Sequence, residues 1–332
     1  MQKKLIALAV TAAFSTSAFA EATVYGIVDA AVASISATGM KSDIRSLSGG
    51  LSGSRIGVVA AEDLDNGMKA IAKIEYKLDS QLSDGVLAAR QEMLALAGGF
   101  GTVAAGYLQT TGYDWQGMFD PASGSQVSPL TRVNSGFLIG SGAAAARAQN
   151  ALAYISPDLG GVTVAVNYTT DFANTGMVAS GTTSGNKTTA TLLSATYKAG
   201  PLAVGGVYAG TANDDTGYAK TTDMAVGASY DLGAAKLMGT YQTNKTDTTG
   251  ATTQKAMSFS VVAPVGPGAV VGSYAKNSMS GTGNDDNSMT VAYLQGLSKT
   301  TTAYGAVHKI NTKTANVAAD TTIVVVGLKK TF

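Results

Sequence analysis

Residues Met68–Leu78 read MKAIAKIEYKL, and the two faces of this stretch decide the fold. Met68, Ala70, Ala72, Ile74, Tyr76 and Leu78 fall on one side; Lys69, Ile71, Lys73, Glu75 and Lys77 fall on the other. Strict alternation over a run this long is a strand signal, because successive strand side chains point to opposite faces. Asp65-Asn66-Gly67 supplies a tight turn before it. Ahead of the turn, RIGVVAAEDL alternates Ile56, Val58 and Ala60 against Arg55, Val59 and Ala61. Further upstream, ATVYGIVDAAVAS places Val24, Gly26, Val28, Ala30 and Val32 on one face and Tyr25, Ile27, Asp29 and Ala31 on the other. A Gly/Ser-rich stretch, Ser46–Ser54, reads as the loop between these two runs.

The same unit recurs to the end of the chain. Strand-like runs occur near Arg90–Ala97, Thr102–Tyr107, Gln149–Ser156, Val162–Tyr168, Thr191–Tyr197, Leu202–Tyr208 and Met224–Tyr230. Others lie near Lys236–Thr243, Lys255–Ala263, Ala269–Ala275, Asn287–Gln295, Thr300–His308 and Thr321–Phe332, which makes sixteen with the first three. Short connections (DNG, GGFG, PDLGG, KAGP, DLGA, PVGPG, GLSK) alternate with longer polar ones such as TTDFANTGMVASGTTSGNK and NKTDTTGATT. Short turns at one end and long loops at the other are the pattern of an outer-membrane barrel. Strands near ten residues fit a tilted bilayer crossing. The predicted fold is therefore all-β: a transmembrane antiparallel β-barrel of 16 strands. Tyr107, Tyr154, Tyr168, Tyr197, Tyr208, Tyr230, Tyr274 and Tyr293 stand at or near strand ends, as an interfacial aromatic girdle requires.

Composition agrees. Charged residues are 14% of the 332, against roughly 25% in an ordinary soluble domain. The one sustained apolar block is N-terminal: MQKK, then LIALAVTAAF, then the small-x-small site Ala18-Phe19-Ala20. Residues 1–20 thus read as a secretory signal peptide, with 21–332 as the exported barrel. Without Lys3 and Lys4 the mature chain carries 21 basic and 22 acidic residues, which argues against nucleic acid as a partner. There is no Cys, so neither disulfides nor a lipid anchor enters the argument. One His, no zinc-ligand spacing and no GxSxG or Walker motif leave no enzyme reading and imply no cofactor or metal. Asn213-Asp214-Asp215 and Asn284-Asp285-Asp286 are either divalent-cation loops or ordinary solvated loop tips.

One segment departs from the pattern. Gln109–Arg147, QTTGYDWQGMFDPASGSQVSPLTRVNSGFLIGSGAAAAR, has neither sustained alternation nor a helical stripe. Loops this long are uncommon in compact domains unless they are functional. In a barrel, such a segment is a candidate to narrow the lumen.

Several motifs resemble general Gram-negative porins of the betaproteobacterial and neisserial type. They are TVYGIVDA, SGGLSGSRIGVVAAEDLDNGMKAIAKIE, GFGTVAAG, RAQNALAYISP, YLQGLSKTTTAYGAV and the closing VVVGLKKTF, spread from end to end of the mature chain. The chain departs from that family in lacking a Pro-Glu-Phe-Gly-type segment in the long loop, in sparse aromatics, and in Lys330 at the third position from the end. The resemblance implies a homotrimer in the outer membrane, with residues 109–147 folded into the pore as its constriction. It implies passage of small hydrophilic solutes and ions, often with anion preference. Phe332 resembles the terminal residue read by the barrel-assembly machinery. Outer-membrane lipid and lipopolysaccharide would surround the barrel.

Charges on the strands locate a candidate constriction. If Ile56 and Val58 face lipid, Arg55 faces the lumen, and Lys73 and Glu75 follow by the same count. With Leu152 and Tyr154 outward, Arg147 turns inward. A charge on the lipid face at mid-depth costs about 2–4 kcal/mol, so lumenal placement is favoured. The resemblance makes Arg55, Arg90 and Arg147 a basic cluster accompanied by Glu75, and sets Asp114 and Asp120 of the loop across the gap. The expected function is a passive porin with weak anion selectivity. The alternatives are a substrate-preferring channel and a structural or adhesive barrel plugged by its loop.

Overall fold

The computed structural model describes residues 21–79, 87–134, 136–140, 146–170, 188–213, 219–247, 253–279, 284–314 and 317–332. The predicted signal segment 1–20 and the acids of 214–215 lie outside these residues.

Strand segments run in chain order as β1 Glu21–Ala37, β2 Asp43–Ser48, β3 Arg55–Asp63, β4 Lys69–Lys77, β5 Ala88–Gly98, β6 Gly101–Gln109, β7 Arg147–Ile155 and β8 Val162–Thr169. They continue as β9 Thr188–Ala199, β10 Leu202–Asn213, β11 Lys220–Asp231, β12 Lys236–Asp247, β13 Thr253–Val265, β14 Gly268–Met279, β15 Asn284–Gly296, β16 Thr301–Thr314 and β17 Val317–Thr331. From β3 onward each strand pairs antiparallel with the next, and β17 returns to β1 with Ile27 opposite Thr331 and Ala37 opposite Thr321. The sheet is closed. Seventeen segments make sixteen positions around the barrel, because β2 and β3 share one side of β1, pairing with Ala30–Ile35 and Glu21–Ile27 respectively.

That divided strand corrects the reading of Ser46–Ser54 as loop throughout, since residues 46–48 belong to β2. DIRSLS shows no apolar alternation, so only its pairing identifies it. The interruption has a local cause. Asp29, buried on the inner face of β1, accepts the Leu51 and Ser52 amides at 2.9 and 2.8 Å and the Tyr304 hydroxyl at 2.6 Å. Ser54 closes the buckle, donating to the Asp29 carbonyl at 3.1 Å. Gly50 lies under Tyr304, where a Cβ would come within 2.1 Å of the phenol oxygen.

The predicted faces hold. Val24, Val28 and Val32 are exposed on the outer surface, while Asp29, Ala31 and Ala33 are buried behind them. On β4 the outward residues pair with Ile56 and Val58, and Lys73, Glu75 and Lys77 pair with Val59, Gly57 and Arg55 on the inner face. Several strands run further toward the long-loop end than alternation indicated, β10 to Asn213 and β12 to Asp247. There β10 has Gly210 and Ala212 outward with Thr211 inward, and β12 has Lys245 outward with Asn244 and Thr246 inward, so the ladder continues without a hydrophobic pattern to reveal it. Phe100, Tyr154, Tyr197, Tyr230, Tyr293 and Phe332 are exposed near the short-turn end, with Tyr168, Tyr208, Tyr241 and Tyr274 in a second row above. Lys330 also faces outward; its ammonium reaches the Thr300 hydroxyl at the turn, 2.7 Å away.

The long segment is not wholly irregular. It contains helices α1, Thr111–Phe119, and α2, Pro129–Val133, each opened by a side-chain cap, Thr110 and Ser128. The first is too short, and too interrupted by Gly112 and Gly117, to show a stripe; of its three aromatics, Trp115 and Phe119 are buried. Both rings press on the inner wall at Gly227, where a Cβ would lie 2.6 Å from Phe119 and 2.9 Å from Trp115.

The seam between β1 and the last residue is a specific joint. Gly26 and Phe332 exchange backbone hydrogen bonds at 2.9 and 3.1 Å, and a Cβ on Gly26 would approach the Phe332 ring to 2.4 Å. Gly26→Val is expected to unseat the terminal ring and lower the fraction of heat-modifiable barrel in the outer membrane several-fold. Gel mobility of unboiled membrane fractions reads this directly; wild-type levels would mean the ring needs no such seat.

Candidate functional site

Glu75 is the centre of a charged cluster on the inner wall. It is 4% exposed, and its two oxygens are separately engaged. Oε1 accepts from Arg90 Nε at 2.7 Å and lies 4.0 Å from Arg147 Nη2; Oε2 accepts the Tyr25 hydroxyl at 2.8 Å. Lys73 stands two residues away on the same face, its ammonium 5.6 Å from the Tyr25 ring centroid. Arg55, beside Lys77 in the register, completes the basic wall; Lys77 itself pairs with Asp79 at 2.9 Å near the strand end.

Arg90 explains why its strand alternates poorly. The register between β4 and β5 shifts between Glu75 and Tyr76, which pair with Gln91 and Ala89, so Arg90 is the extra residue of a bulge. A bulge re-aims a side chain, and here it brings both Arg90 and Gln91 to the inner side. Arg147 begins β7, its Nη1 donating to the Ala146 carbonyl at 2.8 Å and its guanidinium lying 4.7 Å from the Tyr113 ring centroid. That stacking ties the basic wall to α1. Nε and Nη2 of Arg147 are buried without a hydrogen-bond partner among the described residues.

The two loop acids part company. Asp114, on the exposed side of α1, accepts from Gln109 and lies close enough to Arg147 and Lys73 to feel their charge. Asp120 does not face the wall, which corrects the expectation for it. Its carboxylate is turned into the loop, taking the Ser128 hydroxyl at 2.6 Å and the Ala122 amide at 2.9 Å. Burial pushes the Asp120 carboxyl above the usual carboxylate range, against the pull of those two hydrogen bonds. It braces the turn between α1 and α2.

The residues that hold the segment in place were not singled out from the sequence. Asn167 accepts the Thr111 amide at 2.6 Å, and Ser194 meets the Thr111 hydroxyl. Asp223 accepts the Leu138 amide, and Asn244 donates to Asp223 at 2.5 Å. Asn134 donates to Gln242 at 2.8 Å, and Asn277 donates to the Val133 carbonyl at 2.7 Å. Thr290 donates to the Val127 carbonyl at 2.7 Å while its oxygen meets His308 Nδ1 at 2.6 Å. The anchors thus run along the inner faces of β8, β9, β11, β12, β14 and β15. Inward parity marks each as lumenal, but nothing in one sequence separates an anchor from a solvated wall residue.

The cation-loop alternative finds no support at Asn284-Asp285-Asp286. Asp286 accepts the Lys313 amide at 3.0 Å, Asp285 lies 3.9 Å from Lys276, and no group of three potential ligands occurs among the described residues.

Comparison with known proteins adds four findings. A family model described as Gram-negative porin matches residues 7–315. Over 115 residues the chain is 36% identical to the major outer membrane protein P.IB of Neisseria meningitidis, a match spanning 33% of this chain and about a third (34%) of that protein. Over 178 residues it is 32% identical to outer membrane porin protein 32 of Delftia acidovorans, covering 52% of this chain and 50% of that one. Among solved structures, an anion-selective porin from Comamonas acidovorans superposes with a TM-score of 0.80 at 24% identity, covering 95% of this chain and 100% of the other. That likeness establishes the sixteen-stranded architecture.

Asp120→Ala removes the acceptor for the buried Ser128 hydroxyl and the half-buried Ala122 amide, and a buried group left unsatisfied typically costs about 1–3 kcal/mol. Hydrogen exchange across residues 120–128 should rise strongly while the barrel strands keep their protection. Unchanged exchange there would show that the brace carries nothing.

Proposed function

The chain belongs to the Gram-negative porin family of the outer membrane, and we propose from that premise that it is a passive channel for small hydrophilic solutes and ions with weak anion preference. Family and fold together point to a channel rather than an enzyme. In this reading residues 109–147 constrict the pore, and the cluster around Glu75 forms one wall of the throat. The observation that carries it is the charge count on facing surfaces. Arg55, Lys73, Arg90 and Arg147 stand on the wall with Glu75, and Asp114 is the acid opposite them. With Asp120 turned into the loop, four bases meet two acids, a larger positive excess than the sequence indicated.

Opposed charges across a narrow water-filled gap set a transverse field, and the net sign sets which ions accumulate. Charges at such short range are incompletely screened, although the Debye length is only about 8 Å at physiological salt. The preference should therefore be modest and weaken as salt rises. A substrate-preferring channel is the second reading. The basic wall favours it, because Arg55, Lys73 and Arg90 bring guanidinium and ammonium groups to one face, the donors a carboxylate or other oxyanion would meet. Saturable block of the chloride current by a millimolar dicarboxylate would select that reading; unaffected current would leave simple diffusion. A plugged barrel is distinguished from both, since it gives no conductance steps.

The proposed assembly is a homotrimer. Ala30, Ala70 and Ala72 give the early strands a smooth outer face, and small residues permit close approach between walls in lipid. Gly26 contributes less than its size implies, being roofed by Phe332. Mass measurement in mild detergent should give three copies; a monomer with no cross-linked species in native membranes would defeat the assignment.

Arg55→Ala and Arg147→Ala should each move the zero-current potential in a salt gradient toward cation selectivity, while Lys77→Ala, already paired with Asp79, moves it little. Planar-bilayer recordings at low and high salt make the comparison. Wild-type selectivity and conductance in both arginine variants would place the constriction elsewhere.

A further inference from the structure

Charges of opposite sign stand at the two edges of the smooth outer face. Glu92, on β5, points outward and is exposed, with Leu94 and Leu96 following it on the same side and Ile74 beside it in the register. The Tyr76 hydroxyl donates to Glu92 Oε1 at 2.5 Å and so aims the carboxylate. Lys309, on β16, points outward next to Val307 and is likewise exposed. Neither has a partner of opposite charge within 4.0 Å among the described residues. Their heights match. Glu92 stands six residues above Gly98, which closes its turn with Gly101, and Lys309 stands seven above Thr302, which pairs with Gly296. Between the two edges the wall is small or apolar, with Val326 on β17, Val28 and Ala30 on β1, Val58 on β3 and Ala72 on β4.

An ionised side chain on a lipid-facing wall is costly, and such groups as a rule pair or reach water. On one barrel these two cannot meet. β5 is the third strand from β1 on one side and β16 the second on the other, and the convex wall between them holds the charges apart. A ring of three copies changes that geometry. It repeats one heterologous contact, in which the β3–β5 side of each copy lies against the β16–β1 side of the next. Groups at opposite edges of the face are thereby brought to one seam, an acid from one copy and a base from the other, at a common height.

We propose that Glu92 of each subunit pairs with the partner subunit's Lys309, three such pairs flanking the seams of the trimer toward the long-loop end. The inference rests on the homotrimer proposed above and adds the contact that fixes how the copies are rotated against one another. The occupant of this face is a second copy of the chain because the two edges complement each other in charge across a wall that carries none.

The test uses the full mature chain, which has no cysteine of its own. In native membranes a short bis-maleimide should join Glu92→Cys/Lys309→Cys into a covalent trimer on a denaturing gel. Either single variant, or Glu92→Cys/Lys255→Cys with its second site on β13, should run as unlinked chain. Charge exchange gives an independent reading from the trimer fraction across a detergent series. An exposed ion pair is worth about twofold in an equilibrium constant and recurs three times in the ring, so Glu92→Lys or Lys309→Glu should weaken the trimer roughly tenfold. Glu92→Lys/Lys309→Glu should restore it to within about twofold of wild type. Should a single charge reversal fail to assemble, the maleimide result decides. A trimeric wild type with no covalent trimer from Glu92→Cys/Lys309→Cys, or a double exchange no better than the single ones, would overturn the pair and leave the trimer standing. A monomeric wild type would overturn both.

Discussion

The hydrocarbon layer offers no water to a peptide group, so every backbone N–H and C=O at that depth needs a partner within the protein. The rest of this structure follows from that demand. Strand must pair with strand until the last meets the first, and β1 carries the consequence, with β17 along one side and both β2 and β3 along the other. Where β2 gives way to β3, the ladder is replaced by the Asp29 carboxylate, which takes two amides that the interruption would otherwise leave open. The terminal residue then closes the ring on Gly26, backbone to backbone.

Closure also creates an inside, and the inside is where polar side chains are cheap. The segment between β6 and β7 exploits this. It is anchored through amides, hydroxyls and Asp223 on successive strands, and its apolar side chains pack on the same walls, Trp115, Phe119 and Ile139 against β9–β11 and Val127, Leu130 and Val133 against β14 and its neighbours. Each neutral hydrogen bond is worth only about 0.5–1.5 kcal/mol net, so a single anchor decides little. Spread across both sides of the segment, they fix its course along the wall. The Arg147–Tyr113 stack joins this anchored segment to the basic wall opposite the anchors. The helix that carries Asp114 is therefore held from two directions.

The barrel was legible because period two is unmistakable wherever one face meets lipid and the other meets water. Val24–Val32, Met68–Leu78 and Leu152–Tyr154 all fall on the faces their alternation indicates. Legibility fails where that contrast vanishes. DIRSLS and the upper end of β12 have polar residues on both faces, the upper end of β10 carries only Gly210 and Ala212 outward, and only the pairing reveals them. Within the site, Arg55, Lys73 and Glu75 could be placed by counting, because a regular strand conserves parity; Arg147 stands on the wall although the β6–β7 register shifts between it and Leu152. Arg90 could not, since a bulge breaks the count at that point. Asp120 was misplaced for a different reason: in a segment without period, sequence gives a carboxylate no direction, and a serine eight residues on claims it. Tyr25 and Asp29 were visible as inward residues, but their partners lie far away in the chain.

Glu75 shows why a basic wall contains an acid at all. Arg90 and Arg147 approach the same carboxylate oxygen, at 2.7 and 4.0 Å. Two unit charges about 4 Å apart repel by about 1 kcal/mol in water and by about 4 kcal/mol near a protein surface. Without an intervening anion, guanidinium groups at this spacing would splay toward solvent, and the wall would lose its shape. One carboxylate lets them stand together while cancelling only one of four positive charges. Tyr25 completes the arrangement, since its hydroxyl occupies the oxygen that Arg90 and Arg147 leave free and stops Glu75 from rotating. The acid is thus the structural element of the cluster, and the excess of bases around it is what a passing anion would meet.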